Sequence, residues 1–140
     1  RFNMQIPQNF HIGIKAVIVN NNKALVVFDP RFHGYDLPGG KIDKGEGIES
    51  ALGRELKEEL GLERFAMGEL LYVFERSDYG KKNASLMLIF YKVRAKVSNI
   101  TLDKEHSGYK WISVKDFKEI LKKGYVRNDG VKTALEKVLK

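Results

Sequence analysis

Glu55, Glu58 and Glu59 cluster in the second half of the segment GIESALGRELKEELGL, residues 47–62. The apolar residues of this segment recur at helical spacing. At 100° per residue, Ile48, Leu52 and Leu56 form an i, i+4 row, the stripe expected to be buried. On the same wheel Glu59 falls between Ile48 and Leu52, and Glu55 lies just to one side. Two carboxylates one turn apart therefore point toward or beside the packed face. A helix built only for stability would not put them there, because an ionised carboxylate buried without a partner is very costly. A bound divalent cation resolves the conflict. Hard ions such as Mg²⁺ take oxygen ligands from one or two carboxylates, and usually also from substrate phosphate and water. Glu58 lies further round, one turn after Arg54, where the two can pair. Arg-then-Glu is the weaker order for helix stability, so that pair serves to orient groups.

The pattern extends upstream. Gly40 is followed by five residues and Glu46, then by seven residues and Arg54-Glu55-Leu56, with Glu58, Glu59, Gly61 and Leu62 completing the run. With each fixed identity at about 6% and each aliphatic position at about 25%, a match at a given start is on the order of one in several billion. This stretch resembles the signature of the Nudix hydrolases, and no fixed position departs from it. The resemblance implies an α/β/α sandwich around a mixed β-sheet. It implies metal-dependent hydrolysis of a nucleoside diphosphate linked to another group, with Mg²⁺ or Mn²⁺ as cofactor. Glu55, Glu58 and Glu59 would bind the metal, directly or through water, and Arg54 would orient a neighbouring carboxylate. The Gly39 carbonyl in Pro38-Gly39-Gly40 would be a further ligand, since glycine lets backbone approach a ligand closely. Glu46 reads as a first-turn carboxylate at the positive end of the helix.

Other residues carry weaker signals. Glu105 stands six residues before Trp111, where Nudix enzymes often carry a fourth acidic residue ahead of a strand. It is a candidate metal ligand, and either Glu55 or Glu105 is the general base, which must lie within reach of its water. Arg31 and Tyr35 lie in the loop before Pro-Gly-Gly, which in the family contributes to the substrate pocket. Arg grips phosphate in bidentate fashion, and an aromatic ring stacks on a base. The expected substrate is a nucleoside triphosphate, canonical or oxidised. Diadenosine polyphosphates are the alternative, because Tyr79 lies 17 residues past Leu62. A non-catalytic nucleotide- or RNA-binding module is the rival from another class, but such modules usually lose signature glutamates.

The elements that must position these groups are legible in outline. Ile12, Ile14, Ala16 and Ile18 share one face of a strand over 11–20, and Asn20-Asn21-Asn22 turns it into a return strand over 23–29. Residues 29–36 read as a loop, and Pro38-Gly39-Gly40 as a break in regular structure. A helix is expected from about Glu46 to Leu60, capped by Gly61 in a left-handed conformation. Strands follow at 69–76 and 85–97, with Leu86 to Phe90 apolar on both faces, as in a central strand. A strand at 108–114 leads into a helix through a capping box of Ser113 and Asp116, and a last helix begins near Asp129.

Composition bounds the rest. The chain has 140 residues, enough for one domain spanning 1–140, and Arg1-Phe2-Asn3 read as an addition ahead of Met4. It is 43% apolar and 31% charged, the balance of a soluble globular protein. No apolar run is long enough to span a bilayer, which argues against a membrane partner. Without cysteine there is no disulfide framework and no thiolate metal site, and a cytoplasmic location is the default. The net charge of +7 comes largely from lysines on amphipathic helices, with no run of Lys/Arg beyond two. This argues against a nucleic-acid partner and suits a polyanionic small substrate. A monomer or homodimer is expected.

Overall fold

The computed structural model describes residues 5, 7–77 and 84–140. Tyr79 lies outside the described residues. The strands are β1 (Phe10–Asn20), β2 (Lys23–Asp29), β3 (Gly34–Asp36), β4 (Gly39–Lys41), β5 (Ala66–Arg76), β6 (Ser85–Arg94) and β7 (Gly108–Ile112). The helices are α1 (Ile48–Leu60), α2 (Val114–Lys122) and α3 (Asp129–Val138).

The sheet is mixed. β1 pairs with β6 in parallel from Phe10↔Ser85 to Ile18↔Val93, and β5 closes the far side of β6 antiparallel. β6 is thus the central strand expected from its two apolar faces. On the other edge of β1, β4 pairs through Gly13↔Lys41, Ile14↔Gly40 and Lys15↔Gly39. β2 joins the end of β1 through the turn at Asn21 and Asn22. Both asparagines have positive φ, as a two-residue type I′ turn demands. β2 then carries β7 along its length and β3 at its far end.

Alternation along the strands assigns the two faces. Ile14, Ala16 and Ile18 of β1, with Leu25 and Val27 of β2, bury against Ala51, Leu52, Leu56 and Leu60 of α1. Val17, Val26 and Phe90 face the other way, onto Phe117 and Ile120 of α2 and Val131, Ala134 and Leu135 of α3. Helices therefore cover both faces of the sheet, the α/β/α arrangement expected. Ser113 and Asp116 form the anticipated capping box, each accepting the other's backbone N–H at 3.2 and 3.0 Å. Gly61 caps α1 at φ 71°.

Four local expectations are corrected. The 29–36 loop ends in strand β3, because Gly34 to Asp36 find free backbone partners on β2. Pro38-Gly39-Gly40 does not simply break the chain, since Gly39 and Gly40 enter strand β4 on the edge of β1. α1 starts at Ile48 rather than Glu46, with Gly47 as its N-cap. Ile48 is not part of the buried stripe: it is 38% exposed, one turn before the sheet begins to cover the helix.

Candidate active site

The site is the seam between α1 and β4. A Cβ on Gly39 would sit 2.0 Å from Ile14 O, and Gly39 has φ +134°, so only glycine lets β4 run this close to β1. A Cβ on Gly40 would meet the Glu55 carboxyl carbon at 2.5 Å. The two glycines thus leave room for two carboxylates of α1 against the backbone of β4. Gly39 N–H donates to Glu59 Oε2 at 3.0 Å. Glu59 is 6% exposed, one of the few charged side chains in the core. Burial pushes its carboxyl up, to about 8, with Glu55 and Asp103 adding like charge while Lys15 and the Gly39 N–H oppose the shift.

Arg54 organises the outer half. It grips Glu46 in bidentate fashion, Nε to Oε2 at 2.7 Å and Nη2 to Oε1 at 2.9 Å. Its Nη1 reaches Glu55 at 2.9 Å and Glu58 at 3.4 Å, and Nη2 also donates to Lys41 O at 3.0 Å. These bonds hold the Arg54 pKa above its ordinary value, and the Arg54 guanidinium, helped by the Asp43 N–H, holds the Glu46 carboxyl down at about 2. Glu46 therefore does more than complement the helix end. It lies outside α1 and fixes Arg54, which in turn fixes Glu55 and Glu58. Among the described residues no three acidic or histidine side chains are grouped so as to hold a metal ion. Glu46, Glu55 and Glu58 converge on Arg54 instead.

The remaining candidates fall into a second group beside the first. Arg31 chelates Asp29, with Nη2 to Oδ2 at 2.7 Å, and reaches Glu105 at 3.5 Å. Glu105 is largely exposed, and its ion pair is with this loop arginine. Tyr35 packs edge-on against Phe28 at 5.4 Å, and its backbone bonds to Tyr125 and Arg127. The loop carboxylate that acts on Glu59 is Asp103, whose N–H donates to Glu59 O at 3.3 Å. Asp103 Oδ1 in turn lies 2.7 Å from His106 Nδ1.

Two groups went unread in the sequence. Asp103 is one, and nothing in its spacing to Trp111 marked it above Glu105. Lys15 is the other. Its ammonium, 13% exposed, lies 3.3 Å from Asp36 Oδ2, 3.2 Å from Leu37 O and 3.3 Å from Gly39 O. Burial opposes its charge, but Asp36, Glu59 and Glu55 together outweigh burial and raise its pKa. The signal was available. If Ile14, Ala16 and Ile18 face one core, then Lys15 stands beside Val17 on a face that is also buried.

Lys15, Asp36 and Gly40 also line a cavity of about 330 Å³ that reaches Phe32, Leu86, Leu88, Arg127 and Asn128. The Arg127 guanidinium lies 3.7 Å from the Phe32 ring centroid, a cation–π pair at the rim.

The NUDIX domain family model matches residues 9–133, a span that takes in every element but the end of the last helix. The chain belongs to the NUDIX family. It is 35% identical over 88 residues to the Haemophilus influenzae protein named 8-oxo-dGTP diphosphatase, covering 59% of this chain and 62% of that one. It is 33% identical over 93 residues to the Nitratiruptor RNA pyrophosphohydrolase, covering 59% and 60%. The chain thus spans about six-tenths of the length of the curated relatives it matches. A solved structure titled MutT NUDIX hydrolase, from Burkholderia pseudomallei, superposes with a TM-score of 0.72 at 25% identity, covering 93% of this chain and 98% of that one.

The donor set fits the divalent cation that the NUDIX signature implies. Glu59 is a buried carboxylate with one backbone donor and a second carboxylate, Glu55, acting on it. Such a pair ionises together only with positive charge beside it, of which Arg54 on Glu55 and the nearby Lys15 supply part and a bound cation would supply more. Gly39 adds a carbonyl oxygen on the same strand, and all the donors are hard oxygens.

Proposed function

We propose that this chain is a hydrolase of nucleoside diphosphates linked to a further group, acting foremost on nucleoside triphosphates, canonical or oxidised. The observation that carries this reading is one adjacency. The buried Glu59–Glu55 pair lies against Gly39-Gly40, and the same strand lines the cavity edged by Phe32 and Arg127. A cavity of this size, with Phe32, Leu86 and Leu88 for a base and polar groups beside them, suits a single nucleoside, and it adjoins groups suited to a phosphoric anhydride. The names of the two curated relatives, a diphosphatase and a pyrophosphohydrolase, support the same chemistry.

In this reading Gly39 O, Glu55, Glu58 and Glu59 would hold Mg²⁺ or Mn²⁺, which when bound would supply positive charge for the phosphate and lower the pKa of a water. Glu55, beside Gly40, accepts the proton of the attacking water. The water oxygen bonds to phosphorus as the P–O bond of the anhydride breaks. A triphosphate then yields a monophosphate and pyrophosphate. Arg54 keeps Glu55 and Glu58 in register, and Glu46 keeps Arg54 in place. Glu105 is a weaker choice of base, because its exposed carboxylate is engaged by Arg31 from another loop. Phe32 and Arg127 offer the nucleobase a stacking surface, a role Tyr35 does not fill while packed on Phe28.

The test is turnover of canonical and oxidised triphosphates, diadenosine polyphosphates, ADP-ribose and nucleotide sugars, with Mg²⁺, with Mn²⁺ and with chelator. Metal-dependent release of pyrophosphate from triphosphates, abolished in a folded Glu59→Gln variant, is expected. Preferred turnover of diadenosine polyphosphates would move the assignment to that substrate. Silence across the panel, with nucleotide binding intact, would replace the enzyme by a binding module.

A further inference from the structure

The Lys15 side chain is the feature that the signature chemistry leaves unused. Its low exposure is the first observation: only 13% of this lysine side chain meets solvent, where most lysines are exposed. Its bonding is the second. All three acceptors, Asp36 Oδ2, Leu37 O and Gly39 O, lie at 3.2–3.3 Å. Charge-assisted bonds are normally 2.7–2.9 Å, so the ammonium is shared loosely among three partners. A lysine kept only to pin the 36–39 turn would sit tight against one carboxylate.

Its position is the third observation. Lys15 lines the cavity, and it also lies close enough to Glu59 and Glu55 for their charges to act on it. A phosphate chain running from the cavity to the acid pair must pass this point. It brings negative charge toward two glutamates, and a fixed cation is needed at the crossing. Arg127 and Lys41 also line the cavity, Arg127 against the Phe32 ring, and two further arginines are committed to carboxylates. Arg54 is bound to Glu46, Glu55 and Glu58, and Arg31 to Asp29 and Glu105.

We propose that Lys15 is a phosphate ligand of the substrate, placed on β1 where the nucleoside cleft opens onto the acid pair. The inference rests on the nucleotide-hydrolase reading above. On substrate binding, one N–H of the ammonium exchanges its long bond to Gly39 O for a phosphate oxygen and keeps Asp36 as its anchor. Lys15 thereby selects phosphorylated nucleosides over free ones and sets how deep the chain enters.

Binding without turnover tests this. The four deoxyribonucleoside 5′-monophosphates and the matching nucleosides are titrated in chelator against the parent and Lys15→Met, followed by NMR. The parent should bind its best monophosphate about tenfold or more tightly than the nucleoside, one charge-assisted contact's worth. Lys15→Met should lose that preference while its nucleoside affinity stays within about twofold. Lys15→Arg, which keeps the charge, should retain part of the preference. If Lys15→Met is unstable with Asp36 orphaned, Lys15→Met with Asp36→Asn removes both charges and should show no phosphate preference.

A preference that survives in Lys15→Met, or monophosphate and nucleoside affinities that fall together, would overturn the proposal and make Lys15 a scaffold residue. A parent that hydrolyses triphosphates yet shows no phosphate preference would overturn it too, leaving the proposed function standing. A parent that neither binds nor hydrolyses nucleotides would remove both.

Discussion

Gly39 and Gly40 are neighbours with opposite tasks, and substituting each by alanine separates fold from function. At Gly39 the added Cβ would lie 2.0 Å from Ile14 O and 2.8 Å from Lys15 Cα, both backbone atoms, with φ at +134°. The backbone conformation alone costs an alanine about 1–3 kcal/mol. Relieving the clash means pulling β4 off β1, where three residue pairs are in register. At about 1 kcal/mol net per hydrogen bond, losing even two brings the expected total to about 3–5 kcal/mol. That is a large share of the roughly 5–15 kcal/mol holding a domain together. At Gly40 the obstacle is different. The Cβ would meet only the end of the Glu55 side chain, at 2.5–2.7 Å. A carboxylate swings aside for about 0.5–1.5 kcal/mol of rotamer strain. It would then be displaced by about 1 Å, and a misplacement of that size costs turnover on the order of 100-fold. Urea denaturation followed by circular dichroism, alongside turnover of the best triphosphate, reads both effects. Gly39→Ala as stable as the parent, or Gly40→Ala with undiminished turnover, would refute the reasoning.

Three further outcomes are expected. In chelator, stability should fall as pH rises from about 4.5 toward 8, because folded Glu59 still holds a proton that the unfolded chain has released; Glu59→Gln should flatten that slope in denaturation midpoints, and an unchanged slope would remove Glu59 as its source. Glu46→Gln should lower turnover about 10-fold or more by loosening Arg54; because the Glu46 carboxyl sits at about 2, its stabilising contact is present above the ordinary 4.5 and lost as pH falls toward 2, so the variant should lose less stability on acidification than the parent. Leu52, fully buried between α1 and the sheet, should cost about 2–5 kcal/mol when cut to alanine, and a smaller loss by calorimetry would mean the α1 interface is looser than its burial indicates.

What was readable in the chain follows a physical line. Glu59, beside Leu52 on the wheel, is buried as anticipated, because a helix converts spacing into direction without help from the rest of the fold. The strands were readable from equally local signals: alternation in β1, the asparagine turn ahead of β2, and an apolar run on both faces of β6. β4 was not. Pro-Gly-Gly has no pattern of its own, and the strand exists only because β1 offers an edge and glycine permits the approach. Ile48 misled because periodicity says which way a residue faces, not whether anything lies there. Lys15 and Asp103 take their meaning from neighbours distant in sequence, the 36–39 turn and the end of α1.

The parallel pairing of β1 with β6 has a consequence for how the chain assembles. Every pair in that seam, from Phe10↔Ser85 to Ile18↔Val93, joins residues 75 positions apart. Closing so long a loop costs chain entropy before any contact rewards it, and such topologies fold slowly. The strand β4 that carries Gly39 and Gly40 hangs on the opposite edge of the same β1. On a ribosome, β1 must wait until residue 93 has emerged before its seam can close. The hairpin of β1 with β2 and the helix α1 are local and can form early. The cradle for the two glutamates gains its rigid support late, so a shortened nascent chain would display the acidic helix without the site.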